Sequence, residues 1–462
     1  MGKIWKNMRK PTVIDWILIG GILVFCFLSF NHSDLLWTAT NGKDFLELTL
    51  KGEPLSFYEF CEGKADANYP IVIYVIFAIW SIPIYIIYNI FNIPLWEANN
   101  FMSMGFIITM WYKLLPVLFF FGIAYIIYKI GIQLKMSKNK SKWMTFMWIS
   151  FPVSVFSQFI FGQYDSLGMF FTMLAILFYL KKQYYKTSIF MAIAISFKIF
   201  PIFIFIPMVL LVEKRVAHII NHLIIGISVL LISKIMFIHS VAYVSAEIFA
   251  QRIFLGMLNT GINTQYGVAS FFVIGMIAIC SFAYMHKVKD DFEYYKLAMY
   301  IPLAVFSIFF AFALWHPQFI LMVSIFIVIV AFQNNNLKLA MFYDIALSVS
   351  LIVISSLFWK GTVDANLIDF GIFPVIFGIK NTGKLLGPIY LLNNFLNISF
   401  YMSIFVAVLI LNLVIYYPSK KNIRLTKRMD NDTIDVPRSY IWTRAISVFV
   451  YIAPTIILYF SN

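Results

Sequence analysis

Phe161-Gly162-Gln163-Tyr164-Asp165-Ser166-Leu167 sets an amide, a phenol, a carboxylate and a hydroxyl between two almost wholly apolar runs, Trp143 to Ile160 and Gly168 to Leu180. A carboxylate so placed is costly in hydrocarbon, so the stretch belongs at a membrane surface or in a wet cavity. Lysines close both runs at their far ends: Lys135, Lys138, Lys140 and Lys142 before the first, Lys181, Lys182 and Lys186 after the second. Basic residues in short loops mark the cytoplasmic side, so the polar turn is expected to face outward.

The rest of the chain agrees with a membrane setting. Of 462 residues, 61% are hydrophobic and only 12% charged. That excludes a soluble globular protein, and apolar runs of spanning length recur from residue 12 onward. The expected fold is an all-α polytopic membrane protein. It forms a single membrane-embedded domain over residues 1–462 with about 11–15 membrane helices, several short or broken. The formal charge of +14 sits in short loops and at helix ends, where it sets topology, and no nucleic-acid module accompanies it. Lys3, Lys6, Arg9 and Lys10 precede an apolar segment from Val13 to Phe30 with no small-residue cleavage site after it. A retained first span with a cytoplasmic N-terminus is expected. Cys26, Cys61 and Cys280 are scattered and make neither a disulfide framework nor a metal cluster.

A first outer loop is expected over residues 31–68. Three crossings should follow before Lys135: Tyr69 to Phe91, a short piece from Phe101 to Met110, and Leu114 to Ile130. These put Trp111 to Pro116 at an outward tip. Ser196 to Pro201 breaks the next apolar run, so two half-length helices should meet at an outward turn around Lys198. A third polar turn is Trp315-His316-Pro317-Gln318. A second long outer loop is expected over 359–397, a basic cytoplasmic segment over 418–440, and a last span after about Ala445. Every short polar tip then faces one way.

Asp34 follows the first span directly and could act as general base toward an acceptor hydroxyl; the plainer alternative is a helix-terminal aspartate in solvent. Lys113 and Lys198, each within three residues of a proline, and His316 at a third tip could share one lipid-linked phosphate. Against that stands simple snorkelling of lysines to headgroups. Gln163 and Asp165 offer the donors and acceptors that sugar hydroxyls need, with Tyr164, Trp37 and Gln318 beside them; Asp165 could equally be a helix N-cap. No phosphate-binding glycine loop or Ser-His-Asp order is present, and no metal is expected.

Taken in order, Ser33-Asp34 with Trp37, Tyr69-Pro70, Tyr112-Lys113-Leu114, Gly162-Gln163-Tyr164-Asp165-Ser166, Lys198 to Pro201 with Pro207, and Trp315 to Gln318 resemble the membrane-embedded glycosyltransferases of the GT-C superfamily. The nearest likeness is to bacterial relatives of the mannosyltransferases that build the GPI-anchor core. The resemblance implies an inverting enzyme whose donor is a polyprenyl-phosphate sugar, mannose or another hexose, with Asp34 as catalytic base. It implies no cofactor beyond that donor. Its partners would be the lipid-linked donor, a glycan or glycolipid acceptor of the cell surface and membrane lipids, at an extracellular active site in the cell membrane. The chain departs from the pattern in having Tyr69-Pro70-Ile71 where a doubled proline is usual. It also has His32-Ser33 before Asp34, so no acidic pair supports a metal. The rival readings are a flippase or transporter of lipid-linked sugars and an O-antigen-type polysaccharide polymerase. Mid-membrane ionisable residues with two similar halves would mark the first, and arginine-rich outer loops the second.

Overall fold

Thr12 opens the first helix, α1 (Val13–Ser29). Its hydroxyl accepts the Asp15 N–H while the Asp15 carboxylate accepts the Thr12 N–H, so two orphan donors are satisfied reciprocally. The computed structural model describes residues 10–63, 67–93, 104–334, 337–358, 367–378, 396–419, 436 and 438–461. After an extended turn, α2 (Ser33–Leu50) leaves at 66° to α1. A short 3-10 turn (Pro54–Ser56) and α3 (Phe57–Cys61) follow. The stretch expected to be the first outer loop is thus largely helix. Leu35, Leu36, Ala39 and Leu46 are buried at helical spacing, so α2 has an apolar face that its acidic residues concealed. That face packs on α4 (Ile71–Ile90). A Cβ at Gly42 would fall 2.3 Å from Phe77 Cβ, so only glycine permits so close an approach.

The three crossings expected before Lys135 are not formed as expected. One helix of 28 residues, α5 (Phe106–Gln133), runs straight through the supposed tip at Trp111–Pro116. Residues 101–103 lie outside the described residues. The polar groups that suggested a tip are satisfied by α4 instead. Trp80 and Trp111 stack at 4.7 Å, each indole N–H donating to the other's backbone carbonyl, and the Tyr112 hydroxyl lies 2.7 Å from Ser81 Oγ. Pro116 removes one N–H without ending the helix.

The chain continues through α6 (Lys138–Ile149), α7 (Pro152–Val155), α8 (Asp165–Leu180), α9 (Tyr184–Phe197), α10 (Pro201–Val212), α11 (Val216–Met236) and α12 (Val241–Met257). A small antiparallel hairpin, β1 (Gly261–Thr264) and β2 (Gly267–Ser270), pairs Gly261 with Ser270. Then come α13 (Phe271–Met285), α14 (Asp291–Phe312), a 3-10 turn (Pro317–Ile320), α15 (Leu321–Gln333) and α16 (Leu337–Phe358). Further helices among the described residues are α17 (Phe373–Phe377), α18 (Ile398–Tyr416) and α19 (Arg438–Ser461). Among the described residues, six helices are long and apolar enough to cross a membrane, or up to eight if each bent pair is one span. Shorter apolar helices stand beside them. This is an all-α polytopic membrane protein.

Its basic turns gather at one end. Gln133 Nε2 donates to Leu180 O (3.3 Å), Lys182 pairs with Asp291 (2.7 Å), and Lys214 Nζ donates to Ala283 O (2.8 Å). The turns after Phe161, Phe197 and Phe312 meet at the opposite end, as the alternation of spans predicts. The break between α9 and α10 is a true hairpin of two half-length helices, with Pro201 in the first turn of α10. Of the second long loop and the basic segment, residues 359–366, 379–395, 420–435 and 437 lie outside the described residues.

Candidate active site

The helix begun at Pro152 widens over Phe156–Phe161 into π-type turns, a feature frequent at functional sites. Gly162 ends it in the left-handed region (φ +81°), its N–H reaching back to Ser157 O at 3.2 Å. A side chain there would be strained by φ and crowded as well, since a Cβ would stand 3.0 Å from Asn31 Oδ1 and 3.1 Å from Lys113 Cε. This stop aims Gln163 at Asp34. Gln163 Nε2 donates to Asp34 Oδ2 at 3.2 Å, and its Oε1 accepts from Gln318 Nε2 at 2.7 Å. Three turns far apart in sequence are so joined through the Gln163 side chain.

Asp34 stands in the first turn of α2. His32 serves as N-cap, its Nδ1 accepting the Asp34 N–H at 3.1 Å, and its ring lies flat on Phe161 at 4.1 Å. The Asp34 side chain remains 34% exposed, turned to a cavity of about 490 Å³. Lys198, in extended conformation at the end of α9, pairs with buried Asp165 at 2.5 Å. Its ammonium also lies over the rings of Tyr164 (4.9 Å) and Phe319 (4.2 Å). Burial pushes the His316 imidazole down to about 4 against the opposing pull of Asp34, so near neutral pH the ring is uncharged and offers a neutral N–H.

The cavity has two characters. Asp34, Lys198, His316 and Gln318 line one part, and Ile195, Ile199, Leu230, Ile253, Phe254 and Met257 form an apolar wall. Ile199 and Ile253 are themselves exposed on the molecule's surface, so this wall is continuous with the lipid-facing exterior. Lys234, which also lines the cavity, is paired with Glu247, which accepts from Gln251 at 3.0 Å as well.

Of the residues expected at the site, Asp34, Lys198, His316 and Gln318 line the cavity. Gln163, Tyr164 and Asp165 stand behind them as partners of Asp34 and Lys198. Trp37 is half-buried one turn beyond Asp34 and outside the lining. Lys113 is elsewhere: fully buried within α5, its ammonium faces backbone carbonyls of α1 and of the π-type segment. Sequence reading passed over His32, Lys234 and Glu247. The last two are ordinary-looking charges, one in the last turn of α11 and one midway along α12, and only folding brings them to the cavity. Among the described residues no three His, Cys, Asp or Glu side chains converge as metal ligands.

The model of glycosyltransferase family 87 matches residues 68–316, just over half of the chain. The match begins beside the cavity and ends on His316, taking in Gln163, Asp165 and Lys198 on the way. No curated protein matches the chain. A bundle of apolar helices, a cavity holding a carboxylate where polar turns converge, and a family match that covers the turns at Gln163, Lys198 and His316 lead to one assignment: the chain belongs to glycosyltransferase family 87 and is a membrane glycosyltransferase.

Proposed function

We propose that the protein transfers a hexose, with mannose the first candidate, from a polyprenyl-phosphate donor to a glycan or glycolipid acceptor at the outer face of the cell membrane. The observation that carries this reading is the cavity, which joins a carboxylate, a lysine and a histidine to an apolar wall open toward lipid. A phosphate carried on an isoprenoid has both characters and needs both surfaces. Asp34 accepts the proton of the acceptor hydroxyl, whose oxygen attacks the anomeric carbon. The bond from that carbon to the phosphate oxygen breaks, the electron pair leaves with polyprenyl phosphate, and attack opposite the leaving group inverts the centre. Lys198 and the neutral N–H of His316 offset charge growing on the departing phosphate. Gln163 holds the Asp34 carboxylate in place. The outward side follows from the positive-inside rule, since the basic turns lie at the end away from the cavity.

The decisive assay offers purified protein in lipid nanodiscs polyprenyl-phosphate mannose, glucose, galactose and N-acetylglucosamine, with a membrane glycolipid extract as acceptor source. Release of polyprenyl phosphate with transfer of one of these sugars is expected. Turnover of nucleotide sugars with none of the lipid-linked donors would sink the proposal.

A further inference from the structure

We infer that Lys113 is a positioning residue, whose ammonium fastens together the two chain segments that carry Asp34 and Gln163. The inference rests on the reading of Asp34 as the base. Lys113 is 0% exposed. Its Nζ donates to Phe27 O at 2.8 Å, Cys26 O at 3.2 Å and Phe159 O at 2.7 Å, and it also contacts Phe30 O. Three of these carbonyls belong to the C-terminal end of α1 and one to the π-type segment. Helix ends leave their last carbonyls without intrahelical donors and carry partial negative charge, so a buried cation is the complementary group. Just beyond the lysine the two segments touch directly, His32 N–H donating to Phe161 O at 3.0 Å. From Phe30 the chain reaches Asp34, and from Phe159 it reaches Gln163, within one short turn each. The two side chains then meet at 3.2 Å.

Neither role considered for this lysine from sequence fits the placement. An ammonium has three N–H bonds, and here four carbonyls surround it, so none is left for a phosphate. Zero exposure removes snorkelling. What remains is a tie whose loss lets the Asp34–Gln163 pair drift.

Lys113→Met keeps the length and removes the donor. Gly162→Ala leaves the lysine in place but drives a Cβ to 3.1 Å from its Cε, and serves if the first variant fails to fold. Amide hydrogen exchange on the intact protein in nanodiscs should quicken in peptides covering 30–35 and 157–163, and not in α8 or α9. Turnover of whichever lipid-linked donor the wild type uses should fall about a hundredfold in kcat, the cost of a 1 Å misplacement, with donor KM and the Kd of farnesyl phosphate within about threefold of wild type. Unchanged exchange in both segments would overturn the tie, and so would faster exchange with full kcat. A Kd for farnesyl phosphate raised as far as kcat falls would return Lys113 to the phosphate site. If the wild type bound no farnesyl phosphate, the donor reading would fall while the exchange comparison still decided the tie.

Discussion

Asp34 has a carboxylate oxygen fixed by Gln163 and a backbone N–H capped by His32, yet it faces open space. Asp34→Asn should therefore lower turnover by about a hundredfold or more, the usual yield of a general base, with farnesyl phosphate binding intact. Retention of a tenth of wild-type rate would remove Asp34 from that role. Lys198 is tied to Asp165, so a single substitution there mixes two effects. Lys198→Met should weaken farnesyl phosphate binding about ten- to a hundredfold, the worth of a hydrogen bond to a charged group. It should also destabilise the fold, because buried Asp165 loses its counter-ion. Lys198→Met with Asp165→Leu should recover melting temperature but not binding, and recovery of both would deny the phosphate contact. His316 adds a pH dependence. Its folded value of about 4 lies below the ordinary 6.5, so below pH 6.5 the unfolded chain takes up the proton first and stability falls as pH drops toward 4. Melting of His316→Asn should decline less than wild type across that window.

Among the elements, α19 is joined to the bundle by a buried ion pair rather than by apolar contact alone. Arg444 Nε donates to Asp344 Oδ2 of α16 at 3.0 Å, its guanidinium also reaches Ser150 Oγ at 3.0 Å, and Tyr440 donates to the same carboxylate oxygen at 2.5 Å. Removing one partner strands the other in a dry interior, so Arg444→Met should cost about 3–5 kcal/mol. Thermal unfolding in detergent measures this, and an unshifted transition would mean the pair is not formed. α5 makes the complementary point. Its Lys113 and Pro116 look like interruptions, but the helix runs through both, and other elements supply partners to the lysine's ammonium and the proline's own carbonyl. Ser166 Oγ donates to Pro116 O at 2.7 Å, and carbonyls of α1 and the π-type segment receive the lysine.

At the scale of the whole molecule, the arrangement of basic turns at one end and polar turns at the other sets an orientation that labelling can test. Replacing Cys26, Cys61 and Cys280 gives a background free of native thiols. In it, Tyr266→Cys, at the 97% exposed tip of the β-hairpin, should react in intact cells with a membrane-impermeant maleimide. Gln183→Cys, in the exposed turn between α8 and α9, should react only after the cells are opened. The reverse pattern would place the cavity on the cytoplasmic side and remove an extracellular acceptor.

Membrane class, the polar turn at Gly162–Asp165 and the hairpin at Lys198 were legible in the sequence because they depend on one-dimensional quantities. These are the length of apolar runs, the cost of a carboxylate among them and the side on which lysines collect. Asp34, Lys198, His316 and Gln318 were legible as polar residues at such turns, and the fold draws them to one cavity. The helical nature of α2 was hidden by acidic residues on its other faces, and the continuity of α5 by a lysine and a proline that look like breaks when read alone. Whether a buried charge marks a turn or a tie depends on which atoms lie within hydrogen-bond reach. For Lys113 those atoms are carbonyls from residues 26–30 and 159, and for Lys198 the carboxylate of Asp165. Contacts at such separations exist only once the helices have packed, so the tertiary structure alone decided which charges face the cavity and which hold it together.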